Sequence, residues 1–142
     1  TIISRGQALG YMRQKSDDDM YLYTKEYLES QIAVALAGAV AEEVIMGSNS
    51  TGASSDFEHA AELAKTMIIS GMSELGIVDK DTIPTKELNR VIGNILSDQK
   101  NKVSKILTEN KDALERVSNY LIENEKIDGD TFRGFLKKDE AA

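Results

Sequence analysis

Along most of this chain apolar residues recur every three or four positions, the period that gives a helix one buried face. Leu28, Ile32, Leu36, Ala39 and Val40 form such a stripe and predict a helix over about 25–46, with Thr24 as N-cap and Gly47 as the stop. Phe57, Ala60, Ala61, Ala64, Met67 and Ile68 mark a second helix over about 56–70. Its start carries the capping-box pattern, with Ser55 as N-cap, Asp56 as first helical residue and Glu58 three positions after Ser55. A third helix begins near Pro84 and carries Leu88, Val91, Ile92, Ile95, Val103, Ile106 and Leu107. Gly93 and the polar run from Ser97 to Asn101 weaken its middle. A fourth helix holds Ala113, Leu114, Val117, Tyr120 and Leu121, and a short last one Phe132, Phe135 and Leu136 after a turn at Asp128-Gly129.

The first fourteen residues are the only plausible β region. Ile2-Ile3 and Leu9 to Met12 flank Ser4-Arg5-Gly6-Gln7 and predict a β-hairpin, too short to stand without further strands. The expected fold is therefore mainly α: a helical bundle with a long helical hairpin and a short N-terminal β-hairpin. It is read as one domain over 1–142, with a first part over 1–78 and a helical hairpin over 79–142.

Composition narrows the function classes. In 142 residues there are 17 Lys and Arg against 24 Asp and Glu, a net charge of −7 that argues against a nucleic-acid surface. No apolar run reaches the length of a membrane span, so this chain is expected to be soluble. The absence of cysteine removes thiolate nucleophiles and sulfur-ligated metal sites, and one histidine, His59, cannot build a histidine-rich centre. The first residue is Thr1 rather than Met, which reads as a piece of a longer protein.

Three residues invite chemistry. Glu43 lies on the extension of the first apolar stripe, seven positions after Leu36. It is either an end-of-helix residue that swings to water or a buried glutamate that orients another group. Asp56 follows the small, flexible stretch Ser50-Thr51-Gly52-Ala53-Ser54-Ser55 and opens a helix. Acidic residues are common in first turns for dipole reasons, but the same placement can present a fixed carboxylate to a cation. His59 stands three residues beyond Asp56. Surface polarity accounts for it better than half of a di-metal motif, because no second histidine exists. No Gly-x-Ser-x-Gly elbow and no phosphate-binding loop occurs.

Taken together, several segments resemble the C-terminal part of the peptidase domain of FtsH-type ATP-dependent zinc metalloproteases, in the family's order. They are Thr1-Ile2-Ile3-Ser4-Arg5-Gly6 followed by Ala8-Leu9-Gly10-Tyr11, then Ile32 to Gly38 followed by Ala41-Glu42-Glu43, then Ser50 to Asp56. Gly71-Met72-Ser73, Ile106 to Asn110 and Ile127-Asp128-Gly129 complete the match. The Thr-Gly-Ala-Ser…Asp loop is its specific part.

The resemblance implies a zinc held by two histidines of a His-Glu-x-x-His helix and by the aspartate that ends this loop, here Asp56. It implies Glu43 as a residue behind the ligands, and Leu9, Gly10 and Tyr11 as the edge strand that pairs with substrate peptide. No His-Glu-x-x-His occurs in this chain, so two ligands and the glutamate base are expected upstream of Thr1, as are the ATPase module with its ATP and magnesium and the membrane anchors. Ser4 stands where the family usually has proline, and the link from Gly76 to Pro84 is shorter than usual. The implied parent is a homo-hexameric, processive endopeptidase on the cytoplasmic face of the cell membrane that degrades unfolded or membrane proteins. The chain by itself is expected to be inactive. The competing reading is a non-catalytic helical scaffold, a pseudo-peptidase half used in assembly.

Overall fold

Thr24 begins the first helix in the expected way: its hydroxyl accepts the Tyr27 amide at 3.2 Å, and α1 runs Lys25–Met46. Gly47 closes it in the left-handed region (φ 75°), where a glycine meets no Cβ penalty, and its N–H returns to the Glu43 carbonyl at 2.9 Å. A 3₁₀ turn, Thr51–Ala53, leads into α2, Ser54–Ile69; α3 is Thr85–Glu109, α4 Lys111–Asn124 and α5 Gly129–Leu136. These elements come from a computed structural model that describes residues 1–3 and 22–136. Among the described residues there is no strand. The expected hairpin falls on residues outside them, except for Thr1–Ile3, which are not in a strand.

The start of α2 corrects the sequence reading. Ser55 is not its N-cap. The cap position is Ala53, no side chain caps there, and Asp56 is the third helical residue rather than the first. The cause is the preceding turn. Ser50 caps the 3₁₀ turn by accepting the Gly52 amide, and the Ser54 N–H continues to the Thr51 carbonyl. The chain is already helical before the capping-box serine is reached. Pro84 differs by one place too: it precedes α3 and offers its carbonyl to the amides of Glu87 and Leu88. Gly93 and the polar run after it do not interrupt α3.

The chain divides into two compact units, Met20–Glu109 and Thr1–Asp19 with Asn110–Ala142. The core of the first joins Leu28, Ile32 and Leu36 of α1 to Ala60, Ala64 and Met67 of α2, with Ile92, Ile95 and Leu96 of α3 packed against them. Alanines at 60 and 64, both fully buried, let α1 and α2 approach closely. In the second unit Tyr120 of α4 meets Phe135 of α5 edge-to-face at 5.5 Å, and Arg116 donates to the Phe135 carbonyl at 3.0 Å. Asp128 caps α5, accepting from the amides of Asp130 and Thr131 and from the Thr131 hydroxyl. Those bonds, led by the Thr131 amide, hold its carboxyl below the usual range. No described helix is long and apolar enough to cross a membrane.

Candidate functional site

The glycine-serine loop between α1 and α2 is tied down from both sides. One carboxylate oxygen of Glu42, near the end of α1, accepts from the Ser50 amide at 3.1 Å and from the Ser50 hydroxyl at 3.2 Å. The same hydroxyl oxygen accepts the Gly52 amide at 3.3 Å, and Ser54 donates its hydroxyl to the Thr51 carbonyl at 2.8 Å. Ala53 at the end of the turn is buried. A stretch rich in small residues, free to take many conformations when unfolded, is thus held in one by hydrogen bonds running from Glu42 to the first turn of α2. The sequence reading assigned Glu42 no role. The available signal was an acid in the last turn of a helix eight residues before a loop serine.

Asp56 sits where this network delivers it. It is exposed and lies in the first turn of α2, and its side chain makes no hydrogen bond or ion pair with any described residue. The opposite side of its helix is fixed, because Ala60, Ala64, Met67 and Ile68 are buried. The result is an exposed carboxylate on a rigid base. His59 is also exposed, three residues further on, and no hydrogen bond joins it to Asp56.

Glu43 is engaged elsewhere. Its carboxylate meets Lys100 of α3 at 2.8 Å, and the side chain is 44% exposed, so the buried-glutamate alternative does not describe it. The hydrogen bond and charge of Lys100, helped by Asn49, hold its carboxyl below the ordinary glutamate value. Glu43 reaches α3 and Glu42 reaches the loop, so these neighbours pull on different parts of the unit. Leu9, Gly10 and Tyr11 lie outside the described residues.

Zinc in a catalytic site takes three protein ligands and keeps one open position. Among the described residues no group of three His, Cys, Asp or Glu side chains could hold a metal ion. Asp56 is a single exposed carboxylate in the first turn of α2, mounted on a helix whose other face is buried.

Comparison with known proteins gives the family. The profile of Peptidase family M41 matches residues 1–135. The chain is 36% identical to ATP-dependent zinc metalloprotease FtsH 3 of Petrotoga mobilis over 161 aligned residues, covering 98% of this chain and 25% of that protein. It is 35% identical to the ATP-dependent zinc metalloprotease FtsH of Thermus thermophilus, covering 94% of this chain and 24% of the relative. The corresponding protein of Thermobaculum terrenum is 49% identical over 80 residues, 55% of this chain and 12% of the relative. The chain thus spans about a quarter of the length of the Petrotoga and Thermus relatives. The Petrotoga alignment is longer than the chain, so that relative carries residues this chain lacks.

Proposed function

The chain belongs to peptidase family M41, and we propose that it supplies the carboxylate metal ligand, and the helical frame holding it, to an ATP-dependent zinc metalloendopeptidase. The observation that carries this is Asp56: a free carboxylate at the end of a hydrogen-bonded loop, on a helix whose other face is buried. Bound at such a site, zinc supplies Lewis-acid activation for peptide-bond hydrolysis.

This chain's residues do the positioning. Asp56 offers its oxygen, Glu42 and Ser50 hold the loop that leads to it, and the buried face of α2 stops the helix from turning. Through Lys100, Glu43 fastens the end of α1 to α3, a role behind the ligand rather than beside it. The two histidine ligands and the general base belong to a His-Glu-x-x-His helix elsewhere in the enzyme. The segment Leu9, Gly10 and Tyr11 is proposed to pair with the backbone of a protein substrate.

The rest of the enzyme enters on the same footing: ATP and magnesium in a separate ATPase module, a homo-hexamer, and attachment at the cytoplasmic face of the cell membrane. The test is Asp56→Ala in the full-length enzyme, read by zinc content and by ATP-driven degradation of an unfolded protein. Loss of both with folding preserved is expected. Full proteolysis by the folded variant overturns the reading and leaves a non-catalytic scaffold in its place.

A further inference from the structure

The pocket at the far end of α2 holds a feature that core packing does not explain. Val91, Ile95, Gln99 and Val103 succeed one another every four residues along α3, so Gln99 occupies a place in a buried apolar ridge. It is 4% exposed, the one buried polar side chain among the described residues. The Gln99 side chain has no hydrogen-bond partner among them, and no fully enclosed side-chain polar atom there is left unsatisfied. Its amide therefore opens onto free space, and that space is a pocket of about 210 Å³ that Gln99 lines. A leucine would fill the ridge without the cost of a half-desolvated amide.

We propose that this pocket is a docking site for a peptide segment of a partner protein, one carrying an aliphatic side chain next to a lysine or arginine. Size is the first argument. Cavities of roughly 300–1,000 Å³ suit a drug-sized ligand, whereas one near 150 Å³ already admits benzene. The present volume matches one aliphatic side chain with its peptide unit. Chemistry is the second. Met67, Met72 and Val91 give an adaptable apolar wall, and a primary amide offers the donor and acceptor that a peptide group needs.

Charge is the third argument. Lys25 and Lys102 at the rim share the one carboxylate of Glu29, at 3.9 and 3.4 Å, and Glu74 shares Arg90 with Glu87, so the lining's Glu29, Glu74 and Asp98 outnumber its two lysines. Asp98 remains as an exposed rim carboxylate with no ion pair among the described residues, in a chain of net charge −7. A basic neighbour on the peptide supplies the missing charge. Along α2 the pocket's Met67 lies about 16 Å from Asp56, at 1.5 Å per residue. The site therefore grips a protein away from the metal ligand, and it stands or falls independently of the Asp56 reading.

The experiment titrates acetyl-leucyl-lysine amide into the isotopically labelled 142-residue chain and follows the Gln99 side-chain amide and the methionine methyl signals by NMR. Shifts at Gln99, Met67 and Met72 are expected at millimolar peptide. Gln99→Leu should weaken binding by about tenfold, the loss of one well-made buried hydrogen bond. Asp98→Asn, an exposed change that leaves the core intact, should remove the preference for acetyl-leucyl-lysine amide over acetyl-leucyl-glutamine amide. Absence of shifts at these residues overturns the proposal, as does unchanged binding by either variant. The same shifts appearing on raising the protein concentration alone, together with dimer formation, also overturn it and name a second copy as the occupant.

Discussion

Glu42 and Ser50 are joined twice through a single oxygen: the same carboxylate atom accepts the serine amide at 3.1 Å and its hydroxyl at 3.2 Å. That doubled bond ties the end of α1 to Ser50, the residue that caps the 3₁₀ turn leading into α2. A carboxylate suits this position because it can accept both donors at once without needing one of its own.

Glu42→Ala should therefore loosen the loop while leaving the helices formed. Two hydrogen bonds at a solvent-accessible site are worth about 0.5–1.5 kcal/mol each, with water replacing part of the loss. The expected result is faster amide exchange at Ser50 and Gly52 with little change for α1 residues such as Ile32. Glu42→Gln, which keeps an acceptor oxygen, should lie between. Unchanged exchange at Ser50 in Glu42→Ala would show that the turn holds itself.

Glu43 gives a prediction about acid. The Lys100 ammonium holds its carboxyl below the ordinary glutamate value. A group whose pKa is lower folded than unfolded stabilises the fold above its unfolded pKa, and that contribution fades as pH falls through the folded value. Lys100→Ala should move the Glu43 titration up toward an ordinary exposed glutamate, measured by carboxyl NMR. The variant should also lose part of the acid dependence of stability. At neutral pH the effect should be small, since both side chains are about half exposed.

What could be read from the residues alone followed how local each determinant is. The ends of α1 rest on Thr24 and Gly47, one residue each, and both lie where the pattern puts them. The start of α2 did not follow its capping box, because the 3₁₀ turn at Thr51–Ala53 had already satisfied the local amides. Asp56 drew attention as an acid after a flexible loop, but its freedom from partners is visible only once the fold shows where Glu42 and Ser50 bind instead. Gln99 was concealed within the polar run of α3. Burial of a glutamine depends on what α1 and α2 place opposite it, which no period along α3 encodes.

The α1–α2 contact should be the most sensitive part of the fold. Ile32 is completely buried and packs in the cluster with Ala60, Ala64 and Met67. Ile32→Ala removes buried carbons and leaves a cavity, a loss of about 2–5 kcal/mol, whereas Ile32→Val should cost about 0.5–1.5 kcal/mol. Ala64→Leu tests the opposite fault: added methylenes at a close helix approach should cost about 1–3 kcal/mol through displaced neighbours. Denaturant melts of the three variants check the order. A near-neutral Ala64→Leu would mean that the helices have room to separate.

His59 and Asp56 share one end of α2, both exposed, which makes the histidine the natural rival for any ligand role. Side chains three apart lie on the same side of a helix, so proximity alone does not separate them. The surroundings do. Asp56 stands in the first turn, directly after the loop anchored by Glu42, while His59 is a turn further along with no loop contact to aim it. His59→Gln should accordingly leave zinc content and proteolysis of the full-length enzyme within about twofold of the parent, less than half a kcal/mol in binding. Asp56→Asn, which keeps the shape and removes the charge, should lose zinc. If His59→Gln loses zinc as well, α2 contributes two ligands rather than one, and the histidine pair expected from elsewhere is reduced to a single residue.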